Sequence, residues 1–300
     1  MLRSMNDLEG YAIQATDGTI GHVKDFYFDD DAWVVRYLIV ETGNWLASRK
    51  VLISPMSIGQ PDWDARVLPV AITKKQVKDS PDIDTDKPVS RQHEVEYLGY
   101  YGYPYYWGGA GLWGGGAFPG MMRGIDYDDS TTEQPEALGQ DHRSELGKTP
   151  PAARDPHLRS CKGVKNYHIE ATDGDIGHVQ SLLVDEETWA IRYMVVDTSN
   201  WWLGHQVLIA PQWIREVRWT DSTVGVALTR QAVKEAPQYD ASVPLNRARE
   251  LDLYEHHGRP GYWADEVNLE NPQFRVGGSR PPRGLKKASN GTMQDKRYGL

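Results

Sequence analysis

The stretch ATDGTIGHV, Ala15 to Val23, returns as ATDGDIGHV, Ala171 to Val179, with one residue changed. In each, Asp-Gly (Asp17-Gly18 and Asp173-Gly174) supplies the positive φ of a tight hairpin turn. The flanking segments Tyr11–Ala15 and Ile20–Phe28 carry strand-forming residues, so the spacing predicts a β-hairpin in each copy. Gly18 and Gly174 belong to the turn. Gly21 and Gly177, a few residues on, are read as architecture, places where a missing side chain lets a strand bend or coil.

Working outward, an offset of 156 carries Trp33 onto Trp189, Arg36-Tyr37 onto Arg192-Tyr193 and Asn44-Trp45 onto Asn200-Trp201. It also carries Val51-Leu52-Ile53 onto Val207-Leu208-Ile209, and Arg91 and Glu94 onto Arg247 and Glu250. Over about 97 positions from Tyr11 to Trp107, roughly 38 are identical, a duplication rather than a short solenoid repeat. Each copy has the length of a small domain. Val34–Val40 and its counterpart Ala190–Val196 are apolar on both faces except for Arg36 and Arg192, which predicts strands covered twice. One expected cover is the interior of a closed barrel, and the other is a second barrel or the carboxy-terminal extension of a repeat. Further strands are expected at Lys50–Ser54, Arg66–Ala71, Gln206–Ala210 and Thr223–Leu228. Thr73 and Gln76 have the form of a helix capping box, of which the second copy keeps Thr229 but has Ala232.

The expected fold is mainly β: two small antiparallel barrels related by pseudo-two-fold symmetry, each with a short helix and an extended aromatic carboxy-terminal segment. The boundaries are 1–107 for the first repeat with its extension and 108–158 for a Gly/Pro-rich acidic linker. The second repeat spans 159–263, and a basic tail expected to be disordered spans 264–300. From Asn271 onward the cations outnumber the acids, leaving roughly −15 of charge on the rest of a chain whose net is −9, an acidic body unsuited to nucleic acid. The tail offers at most a peripheral contact with a membrane surface. No run is long and apolar enough to span a bilayer, the amino terminus lacks an apolar leader core, and Cys161 is the only cysteine, so a cytoplasmic protein without disulfides is expected.

These residues resemble the PRC-barrel family, the β-barrel module of the cytoplasmic domain of the photosynthetic reaction-centre H subunit and of a ribosome maturation factor. The resemblance rests on Asp17-Gly-Thr-Ile-Gly21-His-Val23, Asp29, Trp33, Arg36–Val40, Trp45-Leu46 and Lys50–Pro55, with the matching set from Asp173 to Pro211. It implies a tandem of small barrels that bind other proteins or self-associate, of the stand-alone bacterial type resembling the H subunit, with no catalytic residue. The chain lacks the membrane anchor of that subunit, which points to a soluble adaptor for an unidentified protein.

No enzyme signature accompanies this. His93, His142, His157, His168 and His205 do not recur at the offset, and no nucleophile elbow is present. The glycines after Trp107 lack a phosphate-loop ending, so no cofactor is expected. The acidic triplet Asp29–Asp31 lacks the ligand spacing of a calcium loop, and His256-His257 is replaced by Tyr100-Tyr101 in the first copy, so no metal is expected either. Two candidate surfaces remain. His22 and His178 are a candidate inter-repeat pair, which would suit a small-molecule, ion or pH sensor in the cleft between the copies. Tyr100, Tyr101, Tyr103, Tyr105, Tyr106, Trp107, Tyr262 and Trp263 form a candidate aromatic partner-binding patch. Arg36 and Arg192, in apolar strands, each call for a carboxylate, and Glu94 and Glu250 are the repeated candidates.

Overall fold

The computed structural model describes residues 1–81, 89–107, 109, 111–123, 157–198 and 205–264. Most of the acidic linker, the basic tail, Pro88 and the Asn200-Trp201 pair lie outside the described residues. Two units are present, Met1–Pro260 and a short one beginning at Gly261. Within the second, Tyr262 and Trp263 meet edge to face at 5.0 Å.

The chain opens with β1 (Leu2–Ser4) and α1 (Met5–Leu8), then β2 (Ala12–Ala15), β3 (Gly18–Asp29), β4 (Val34–Thr42), β5 (Lys50–Ile53) and β6 (Val67–Pro69). Helices α2 (Lys74–Asp79) and α3 (Arg91–Tyr101) complete the first repeat. The second repeats the series with β7 (Leu158–Ser160), α4 (Cys161–Val164), β8 (His168–Ala171), β9 (Gly174–Asp185), β10 (Ile191–Asp197) and β11 (Gln206–Ile209). It continues with β12 (Ile214–Arg218), β13 (Thr223–Val226), α5 (Arg230–Lys234) and α6 (Arg247–His256). One sheet runs β5-β4-β3-β2-β6 and the other β11-β10-β9-β8-β13-β12. Hairpin neighbours are antiparallel, but β2 pairs with β6 and β8 with β13 in parallel, so the sheets are not antiparallel throughout as the sequence suggested. In the first repeat β6 comes after the 3-10 turn Pro55–Ser57, and in the second the turn Pro211–Trp213 leads into β12, which turns back antiparallel into β13 beside β8.

Local sequence explains the elements. Gly18 and Gly174 take φ of +137° and +135° at the hairpin turns. A side chain at Gly21 would put its Cβ 2.0 Å from the Glu41 carbonyl oxygen, and one at Gly177 would meet the Asp197 carbonyl at the same distance. The neighbouring strand crosses there too closely for anything larger than hydrogen. Thr73 Oγ1 accepts from Gln76 N–H at 3.1 Å while Gln76 Oε1 accepts from Thr73 N–H at 2.8 Å, a complete capping box. Thr229 keeps only the first half, accepting from Ala232 N–H at 3.2 Å.

The extensions correct the sequence reading: they are helices, not extended segments. Ser90 and Asn246 cap their first turns, accepting from His93 N–H and Arg249 N–H. Gly102, at φ +68°, ends α3 in the left-handed conformation. Glu94, Tyr97 and Leu98 are buried on one face of α3, and Glu250, Leu253 and Tyr254 on one face of α6. Each helix lies on its own repeat. Tyr97 meets Tyr37 of β4 edge to face at 5.3 Å, and Tyr254 meets Tyr193 of β10 at 6.3 Å. This is part of the cover that the doubly apolar strands require, and Val34 through Val40 are all buried.

The first strands are exchanged. Strand β1 pairs with β9, Leu2 opposite Asp185 and Ser4 opposite Leu183, while β7 pairs with β3, Leu158 opposite Asp29 and Ser160 opposite Tyr27. Both strands read Leu-Arg-Ser, so the duplication reaches back to Leu2, beyond the Tyr11 at which the sequence comparison began. Arg3 pairs with Glu186 and lies 3.6 Å over the Trp63 ring; Arg159 pairs with Asp30 and lies 4.2 Å over Trp219. Farther along, Val34 forms an antiparallel bridge with Ala190, its own equivalent at the offset. Val35 N–H donates to the Trp189 carbonyl at 2.8 Å and Ile191 N–H to the Trp33 carbonyl at 2.7 Å. Trp33 and Trp189 hold the left-handed backbone at φ 56° and 58°, an unusual state for a bulky residue that turns each carbonyl toward the other repeat.

Candidate functional site

The densest polar cluster is built around Glu94, fully buried on α3. The Tyr37 hydroxyl of β4 donates to its Oε1 at 3.1 Å, and the Tyr106 hydroxyl donates to the same oxygen. Arg91 Nη1 stands 3.1 Å and His157 Nε2 2.8 Å from Oε2. Arg91 Nη1 also donates to the Tyr106 oxygen at 3.0 Å, and His157 Nε2 lies 3.2 Å from it. Two hydroxyls hydrogen-bond Oε1, and the Arg91 and His157 side chains stand within ion-pair distance of Oε2. Glu94 therefore pins α3 to β4, to the chain following it and to the residue before the exchanged strand β7. Burial, and then the nearby carboxylate, push the Tyr37 and Tyr106 hydroxyls well above the usual phenol range, so both stay protonated donors.

Arg36, 2% exposed, does not pair with Glu94 as the sequence suggested. Its guanidinium reaches Asp29 at 3.4 Å and the Leu112 carbonyl at 2.7 Å, between the Tyr106 ring at 4.0 Å and the Trp113 ring at 4.8 Å. Burial is the main pull lowering its pKa, and the nearby Tyr106 hydroxyl and Asp29 oppose it. The reason for the difference is positional: Asp29 and Arg36 flank the turn between β3 and β4, while Tyr37, one residue on and facing the opposite side, meets Glu94. Arg192 donates to Thr188 Oγ1 at 3.3 Å, and Glu250 accepts from Tyr193 at 2.8 Å and pairs with Arg247 at 3.1 Å.

Trp113 falls in the Gly/Pro-rich stretch 108–158 that the sequence reads as a linker. It is fully buried, and its indole N–H donates to the Thr188 carbonyl of the second repeat at 2.8 Å. Neither Trp113 nor His157 has an aromatic or histidine counterpart that the repeat could have exposed; the residue matching His157 is Met1. His22 stands on β3 opposite Ala12 and Glu41, and His178 on β9 opposite His168 and Asp197. No hydrogen bond or ring contact joins the two among the described residues.

The aromatic segment divides in two. Tyr106 is buried, whereas Tyr100 and Tyr105 are 41% and 38% exposed. Tyr105 stacks on Trp107 at 4.7 Å, and Arg91 lies 4.1 Å from the Trp107 ring centre. Tyr101 stacks on Tyr103 at 5.4 Å and meets Tyr100 edge to face at 4.9 Å; the Tyr100 hydroxyl donates to the Gln76 carbonyl at 2.9 Å. The strip is thus a set of mutually packed rings of which Tyr100 and Tyr105 are the exposed members. Carboxylates of Asp29, Asp30 and Asp31 approach within 4.8 Å of one another. Those of Asp29 and Asp30 are engaged, Asp29 by Arg36 and the Asp31 and Ala32 amides, Asp30 by Arg159. Among the described residues no helix is long and apolar enough to cross a membrane.

Residues 2–77 match the family model of the PRC-barrel domain. An uncharacterized protein of Deinococcus radiodurans is 33% identical over 90 residues, which cover 30% of this chain and 32% of that protein. The chain thus spans about a third of the length of this relative. The match to the PRC-barrel domain thus runs from the exchanged strand β1 through most of helix α2 of the first repeat.

Proposed function

We propose that the chain is a non-enzymatic adaptor or assembly module of the cytoplasm, made of two fused PRC-type barrels related by a pseudo-two-fold axis. The barrel reading rests on the burial of both faces of β4 and on the matching strand order of the second sheet. The axis is supported by position 34 bridging to its own equivalent and by the reciprocal hydrogen bonds flanking that bridge.

The observation that carries the adaptor role is the exposed Tyr105 ring stacked on Trp107, beside a polar cluster whose groups are turned inward onto Glu94. Rigid aromatic rings present large contact area at small entropic cost and are enriched where proteins meet. Buried Val34 and Ala190 fill the junction between the repeats, which favours the aromatic surface over a ligand cleft there. The test is capture from the native host with the full chain, a Tyr105→Ser variant and a version ending at Ala264, each checked for its native circular dichroism. A stoichiometric partner kept by the truncated form and lost with Tyr105→Ser supports the reading. A partner indifferent to Tyr105, or none at all, overturns it.

A further inference from the structure

We infer that the two repeats recognise each other through a charge code at the ends of α1 and α4, so that a first-repeat face fits a second-repeat face and rejects its own kind. The exchanged strands cannot make this distinction. Both read Leu-Arg-Ser, pair in the same register, and carry an arginine that meets an acid and covers a tryptophan. They supply adhesion to either partner.

The next turn differs. Where the first repeat has Asn6 and Glu9, the second has Lys162 and Lys165. Glu9 Oε1 lies 3.2 Å from Lys165 Nζ and Glu9 Oε2 3.0 Å from Lys162 Nζ. Glu9 and Lys165 are equivalents at the offset of 156, so this position, like Val34, meets its own counterpart. Two first repeats arranged in the same way would set Glu9 against Glu9, and two second repeats would gather four lysines. Like charges brought this close oppose pairing, whereas the mixed pair attracts. A second asymmetry points the same way. Asp25 accepts from Ser160 Oγ at 2.5 Å and from Lys162 N–H at 3.1 Å, while its equivalent Ser181 meets Ser4 as a neutral pair at 2.9 Å. The first-repeat side of the contact is anionic and the second-repeat side cationic.

This rests on the two-barrel reading but not on the existence of an external partner, so the capture experiment leaves it untouched. The test uses the full chain and compares Glu9→Lys, the pair Lys162→Glu with Lys165→Glu, and all three together, by thermal unfolding at low and at about 1 M salt. These side chains are partly exposed, so each variant folds. Each reversal alone should lower Tm by about 2–4 °C, the triple variant should recover at least half of the summed loss, and high salt should shrink the differences. Lys165→Glu, which recreates the like-charged pair, should cost more than Lys165→Gln. Losses that simply add in the triple variant, or a Lys165→Gln as harmful as Lys165→Glu, would overturn the inference.

Discussion

His257 sits at the end of α6 with its ring 4.7 Å from buried Trp213. Burial, and secondarily the charges of His256 and Arg259, push its pKa down from 6.5 to about 4. The folded state therefore holds this imidazole neutral while the unfolded chain protonates it in the ordinary range. Its contribution is fully present above pH 6.5 and is lost as pH falls from there through about 4. The first repeat carries Tyr101 at this position, a ring without that liability. His257→Tyr should lose less stability than the parent chain between pH 7 and pH 5, by roughly 1 kcal/mol after discounting for partial solvation, measured from urea midpoints. Equal losses in the two proteins would show that the ring is not held neutral. At this scale the sequence was legible where backbone decides: Asp-Gly turns and the close-packed Gly21 and Gly177 follow from local geometry. It was illegible where a side chain chooses among distant partners, as when Arg36 takes Asp29 and Leu112 while Glu94 takes His157 from 63 positions away.

The strands of each hairpin were readable from alternation and turn chemistry, and the short capped helix α2 from Thr73 and Gln76. Helix α3 was not, because tyrosine and glycine are indifferent helix formers and mask the spacing of Glu94, Tyr97, Leu98 and Tyr101, whereas α6, RARELDLYEH, is rich in strong helix formers and its signal was overlooked. The caps Ser90 and Asn246 with Gly102 and Gly258 were the available signal. The exchanged strands were missed for another reason: three residues are too few to show periodicity, and only the identical Leu-Arg-Ser betrays them. Their placement makes a specific prediction. Removing residues 1–4 should raise amide exchange at Leu183–Asp185, in the second repeat, while leaving Tyr27–Asp29 of the first protected by β7. Hydrogen exchange read by mass spectrometry separates the two peptides, and deprotection confined to the first repeat would contradict the exchange.

Across Met1–Pro260, the repeats are joined by two exchanged strands, paired arginines, the Val34–Ala190 bridge and Trp113 against Thr188. None of these needs residues 124–156. A protease site introduced between residues 130 and 145 should, after cleavage, leave the halves co-eluting at the mass of the whole chain in native buffer and parting only in denaturant. Halves that separate in native buffer would show that covalent connection, not recognition, keeps them together. The duplication itself was plain in the sequence, since a constant offset over a hundred residues needs no structure. That the copies would trade their first strands was not, because each copy alone reads as a self-sufficient domain.

The exchange also has a consequence in time. Strand β1 leaves the ribosome well before its partner β9, which is made roughly 180 residues later, an interval of roughly ten to forty seconds at ordinary rates of synthesis. Throughout that interval the nascent first repeat carries both a loose Leu-Arg-Ser strand and the vacant edge on β3 that accepts such a strand. Neighbouring chains on one messenger could satisfy each other's edges prematurely, and Glu9 facing Glu9 is what would make that early embrace unattractive until Lys162 and Lys165 emerge.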